Sequence, residues 1–146
     1  MAKINVFSVE TRGRIDLSKA VGSEATAMYL YELPPGESSS PYHHEYEEEW
    51  LLVLDGTIVL RAPDGEQTLV RGDLVCFPAG PLGAHKLMNG AESAARILMF
   101  SNGRLPSVAV FPDSDKMGVW PGDEADELIF TRSTAVPWSD VDGERL

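Results

Sequence analysis

The chain is poor in several features that would have pointed elsewhere. One cysteine among 146 residues excludes an internal disulfide and suits a reducing compartment. That residue, Cys76, sits in LVCFP with no Lys, Arg or His beside it to favour a thiolate, so a buried, unreactive thiol is expected. No apolar run approaches the ~18 residues that a membrane-spanning helix needs. The opening MAKINVFSVETRGR lacks an apolar export core and a small-residue cleavage site, so a cytoplasmic protein is expected. Positive charge is scarce: 12 Lys and Arg against 23 Asp and Glu leave a formal net charge of −11. A binder of phosphate backbones requires a basic patch, so neither nucleic acid nor a membrane is expected as a partner. Helical periodicity is nearly missing between residues 26 and 101, and only DEADEL (123–128) hints at a helical turn.

What remains is a chain with 43% hydrophobic residues, enough for a packed core. Its apolar residues fall in short runs punctuated by Gly and Pro. TAMYLYEL (26–33), EEWLLVL before Asp55-Gly56, TIVLRA, QTLV, LVCFP, HKLMN and ARILMFS all read as strands. PDGE (63–66) carries the Asp-Gly that a tight hairpin prefers. Many short strands at close spacing predict an all-β sandwich or barrel. One domain spanning 1–146 is expected, with a barrel core at about 26–101 and a C-terminal extension at about 103–146. Phe111, Val119, Trp120, Phe130 and Trp138 in that extension should pack on the barrel or on a second subunit.

Two spaced motifs carry the chemistry. Glu49 is followed by six residues, WLLVLD, and then Gly56. Gly72 is followed by DLVCF and Pro78-Ala79-Gly80, and His85 stands three intervening residues before Asn89. These segments resemble the cupins, whose motifs run G-x5-H-x-H-x3-4-E-x6-G and G-x5-P-x-G-x2-H-x3-N. Here PLGA replaces the two residues before the second-motif histidine. The resemblance covers roughly residues 26–101 and implies a double-stranded β-helix, the jelly-roll barrel, holding one divalent metal. It also implies pairing through sheet faces, hence a homodimer.

The first motif departs from the pattern within PYHHEYEEEW (41–50). A register counted from Gly36 puts Tyr42 and His44 in the two histidine positions. It loses one histidine and sets Glu49 on the opposite strand parity, which requires a bulge. A register starting at His43 puts Glu45 in the second position and leaves residues 43, 45 and 49 on one face. Its cost is one extra loop residue, a few tenths of a kcal/mol or roughly that. The favoured metal set is therefore His43, Glu45, Glu49 and His85, with His44 outward and held as the alternative to Glu45. Parity sends Leu51 and Val53 inward and Trp50, Leu52 and Leu54 outward. Tyr31, Phe77 and Met99 are further candidates for the cavity wall.

Imidazoles and carboxylates together suit a divalent first-row ion, with Mn or Fe preferred and Zn or Ni possible. Two imidazoles and two carboxylates would bring its charge to zero. A small dianion gains little at such a centre unless Arg14, Arg61, Arg96 or Lys86 reaches the cavity. Two functional classes follow. One is a metal-dependent enzyme on a small organic molecule, an oxygenase or isomerase, with Glu45 or Glu49 as base. The other is a non-catalytic module binding a small ligand, or using the metal only to stiffen the barrel.

Overall fold

The computed structural model describes residues 2–141; Met1 and 142–146, the end of the expected C-terminal extension, lie outside the described residues. The chain runs through β1 (Gly13–Asp16), a short helix α1 (Leu17–Val21), β2 (Ala27–Leu33), β3 (His44–Glu45), β4 (Glu49–Asp55), β5 (Thr57–Ala62) and β6 (Gly65–Val70). It continues with β7 (Leu74–Phe77), β8 (Lys86–Met88), β9 (Ala95–Ser101), β10 (Ser107–Phe111), β11 (Lys116–Trp120) and β12 (Leu128–Thr131). Three sheets result, in the orders β1-β2-β9-β4-β7, β6-β5-β8 and β12-β11-β10-β3, and every pairing is antiparallel. This is the all-β jelly-roll barrel that the strand pattern and the motif resemblance predict.

Strand alternation builds the core. Leu51 and Val53 of β4 pair with Met99 and Ile97 of β9, and their side chains meet Ile58, Leu60 and Leu87 of the three-stranded sheet. Leu51, Ile58, Leu60, Leu87 and Ile97 are fully buried. Each such burial contributes about 1.5–3 kcal/mol. Phe77 lies in the same core, and Tyr31 packs against it partly buried. The turn from β4 into β5 depends on Gly56, which holds φ +77°. A Cβ there would stand 2.9 Å from the Ala95 backbone, so the motif glycine is also a close-approach glycine.

The opposite face of β4 forms a second cluster, in which Leu52 and Leu54 pack with Leu17, Leu30 and Leu98 beneath Ile4, Val6 and Val9. The N-terminal segment thus covers the outward apolar residues, where the sequence left that partner open. Asp16 caps α1 by accepting the Lys19 N–H at 3.0 Å, and Gly22 closes the helix in the left-handed region. Five residues are too few for helical periodicity to show.

One expectation needs correction. Cys76 is exposed, because β7 is an edge strand whose alternation sends Val75 and Phe77 inward and Cys76 out. DEADEL supplies the expected helical turn, a 3-10 turn at Glu124–Asp126, and then enters β12. In the extension, Phe111, Val119 and Trp120 are half-buried, and Phe130 and Trp138, 39% and 76% exposed in the single chain, are the ones left for a second subunit to cover.

Candidate metal centre

His43 and His85 face each other across an antiparallel bridge. The His43 N–H donates to the His85 carbonyl at 3.1 Å and the His85 N–H returns to His43 at 2.8 Å. Side chains at directly opposed positions share a face, and here their ring centroids are 4.8 Å apart. Glu49 opens β4 opposite Phe77 and completes the group. Donor atoms of His43, Glu49 and His85 all lie within 4.8 Å of one another, with His85 Nε2 3.5 Å from Glu49 Oε2.

Backbone carbonyls fix which nitrogen points inward. His43 Nδ1 lies 3.0 Å from the Pro41 carbonyl and His85 Nδ1 lies 2.9 Å from that of Gly83. A carbonyl only accepts, so each Nδ1 carries the proton and each Nε2 presents its lone pair to the centre. Aromatic rings hold the imidazoles in place: Phe77 stacks on His85 at 3.8 Å, and Phe111 lies 5.9 Å from His43. The PLGA segment that sets this chain apart from the motif is a 3-10 turn, Pro81–Gly83, and it supplies the Gly83 carbonyl.

Burial sets the charges. It pushes His43 below its ordinary value and His85 down to about 4. It pushes Glu49 up to about 8, helped by the negative charges of Glu45 and Glu47. Glu45 is raised as well, by burial and then by Glu47, with Ser107 opposing. Glu49 Oε2 is buried with no hydrogen-bond partner among the described residues. Raised to about 8, Glu49 holds a proton at neutral pH that can serve at most one of the two imidazole lone pairs, so the group as a whole is left short of a partner. A divalent cation satisfies all three donors at once, so the residues fit a metal of the His/carboxylate type.

The other sequence candidates fall around this group. Glu45 shares the face of His43 but its Oε1 is 4.0 Å from His43 Nε2, and it stands outside the cluster of three. His44 pairs with Val110 on β10, one residue out of phase with His43, and turns to the opposite face, where it is buried against Tyr46. Glu48 is exposed and accepts from the Trp50 indole, whereas Glu47 stands close enough to act on both buried carboxyls. Asn89 is buried as a turn staple: its amide donates to Leu33 and Ser93 carbonyls and its oxygen accepts from Ala91 N–H. Arg61 is held by Asp113, and Arg96 by Glu32 and the Val6 carbonyl. Lys86 follows His85 and faces away from it, whereas Arg14 lies against Tyr29. Sequence reasoning missed Phe111 and Tyr29; the parity shared by Tyr29 and Tyr31 was the available signal for the latter. A separate apolar hollow of about 440 Å³ lies between the N-terminal segment, α1 and β2, away from the histidines.

A family model of the cupin domain matches residues 29–101, half of the chain. The chain belongs to the cupin family. This cupin is similar to a sugar phosphate isomerase of the cupin superfamily from Silicibacter pomeroyi, 27% identical, with a TM-score of 0.79 over 95% of this chain and 98% of that one. It also resembles a putative sugar phosphate isomerase from Acidithiobacillus ferrooxidans, 25% identical, with a TM-score of 0.75 over 85% of this cupin and 78% of the other chain. Among curated proteins it is 27% identical over 79 residues to the tetracenomycin polyketide synthase protein TcmJ of Streptomyces glaucescens, covering 54% of this chain and 52% of that protein. The cupin therefore spans about half the length of that relative.

Proposed function

We propose that this cupin is a metal-dependent isomerase of a small hydroxy-carbonyl compound of the sugar type. The observation that carries the reading is a division of labour among the carboxylates. Glu49 converges with His43 and His85, while Glu45 stands beside them, largely buried and outside the trio. His43, Glu49 and His85 would hold the ion, with Mn or Fe preferred over Zn or Ni. A bound divalent ion would supply Lewis-acid polarisation of the substrate carbonyl. Glu45 acts as the base: it takes the proton from the hydroxyl-bearing carbon next to the carbonyl, while the carbonyl oxygen gains one. It then returns its proton to the former carbonyl carbon as the neighbouring hydroxyl loses its own. The carbonyl moves by one carbon, and no oxidant or reductant is consumed. The raised proton affinity of Glu45 brings it closer to neutrality, where a general base works best. Similarity along nearly the whole chain to the S. pomeroyi isomerase supports the same reading.

The test is deuterium incorporation from D2O into sugars and sugar phosphates, followed by NMR on the metal-loaded protein. Exchange at the carbons flanking the carbonyl is expected, with Glu45→Gln lowering kcat by about 10²–10⁴-fold at unchanged metal content. No exchange at stoichiometric metal would overturn the isomerase. Loss of metal from E45Q would place Glu45 in the ligand set and end its role as base. Oxygen uptake in place of exchange would identify an oxygenase.

A further inference from the structure

β1 extends the interior face of the five-stranded sheet beyond the barrel core. Arg14 pairs with Tyr31 and Asp16 with Tyr29, so these four side chains share a face. On the same face, Tyr31 pairs with Ile97 and Tyr29 with Met99, and the next strand carries Val53, Leu51 and Glu49. This face of the sheet therefore carries Glu49 at one corner and Arg14 at the other, with Leu51, Val53, Ile97 and Met99 buried between them and the partly buried Tyr29 and Tyr31 beside Arg14. Burial raises both phenols above their ordinary value; Asp16 and Glu45 add to this at Tyr29 and Glu49 adds to it at Tyr31, while Arg14 opposes it at both.

Arg14 differs from the arginines it could be confused with. Arg61 makes a two-pronged pair with Asp113 at 2.6 and 3.0 Å, and Arg96 meets Glu32 at 2.7 Å. Arg14 has no carboxylate within 4.0 Å among the described residues. Its guanidinium lies 4.9 Å from the centre of the Tyr29 ring, which orients it without neutralising it. Asp16, the acid on the same face, caps α1 through the Lys19 N–H and keeps its negative charge beside Tyr29. In a chain of net charge −11, Arg14 is thus an exposed guanidinium without an ion pair among the described residues.

We propose that Arg14, with the Tyr29 and Tyr31 hydroxyls, binds a phosphate monoester group at one end of the substrate while the hydroxy-carbonyl end lies at His43, Glu49 and His85. A guanidinium fork with two hydroxyl donors presents hydrogen bonds from several directions, which suits a tetrahedral oxyanion better than a planar carboxylate. The metal end rests on the isomerase reading; the phosphate end rests on Arg14, Tyr29 and Tyr31 and not on that reading.

The probes are inorganic phosphate, glucose 6-phosphate, glucose and gluconate, with binding measured by calorimetry on metal-free and Mn-loaded protein. Inorganic phosphate and glucose 6-phosphate are expected to bind in both states, and glucose more weakly than its phosphate. Arg14→Gln should weaken phosphate binding by about tenfold or more, the effect of losing a charge-assisted contact, and Arg14→Lys should recover part of it. Metal content and melting temperature should stay at wild-type values in both variants. Absent phosphate binding, equal affinity in R14Q, or gluconate binding ahead of the phosphate ester would overturn the proposal. Deuterium exchange separates the two readings. Arg14-dependent phosphate binding without exchange leaves this subsite standing and removes the isomerase; exchange with unchanged phosphate affinity in R14Q does the reverse.

Discussion

His43 and His44 are neighbours in the chain and part company in the fold. His43 opposes His85 and directs Nε2 into the centre, while His44 pairs with Val110 and lies buried on the other face. We therefore expect His43→Ala and His85→Ala each to abolish metal binding, and His44→Ala to keep it at some cost in stability. Elemental analysis of untagged protein checks this, and equal metal loss in the His44 variant would refute the assignment. The split of His43 from His44 was readable beforehand, because adjacent side chains on extended chain point to opposite faces. Glu45 and Glu49, in contrast, lie on strands of different sheets, so their shared parity carries no such meaning. The sequence could not say that Glu45 would stand 4.0 Å from His43 Nε2 while Glu49 closes on His85 at 3.5 Å. That distinction depends on where β10 and β4 place the two backbones. The carbonyls of Pro41 and Gly83, which set the histidine tautomers, were equally hidden, since a backbone acceptor has no sequence signature.

At the scale of elements, the turn Pro81–Gly83 shows how an insertion can serve the site. Gly83 packs so closely that a Cβ would overlap the Pro78 carbonyl oxygen, and its own carbonyl holds His85 Nδ1. Gly83→Ala should force the turn away from Pro78 at a cost of about 1–3 kcal/mol, as for overpacking. It should also weaken metal binding by about 10–100-fold through loss of the orienting carbonyl. Thermal melts and metal titration read the two effects separately; wild-type metal affinity in a folded variant would show that the carbonyl is dispensable. Most elements of the barrel were legible, because β2, β4, β5, β7, β8 and β9 fall in short apolar-rich runs separated by turn residues. β1 and α1 were not, being too short to carry a period. Cys76 was misread because its apolar neighbours imply a core strand, whereas β7 is at an edge where one face is open.

For the whole molecule, the buried centre predicts how stability answers to pH and metal. In metal-free protein, Glu49 rises from 4.5 to about 8, so the folded state binds more protons than the unfolded state across that interval. Its contribution to stability is complete below 4.5 and is lost as pH climbs through 8. The histidines act oppositely: His85 falls from 6.5 to about 4, and His43 is lowered too, so their contribution is present above 6.5 and lost as pH falls. Between 4.5 and 6.5 the terms oppose each other; from 6.5 to 8 Glu49 dominates this trio and the metal-free protein loses stability. A divalent ion competes with the proton on Glu49 and binds the neutral imidazoles, so binding tightens as pH rises and releases protons. Melting in EDTA should therefore show Tm falling between pH 6.5 and 8.5, while excess Mn(II) flattens or reverses the slope by mass action. Glu49→Gln should remove both the metal-free decline and the stabilisation by Mn(II). Parallel curves with and without the ion would mean that Glu49 is not the shared site of proton and metal.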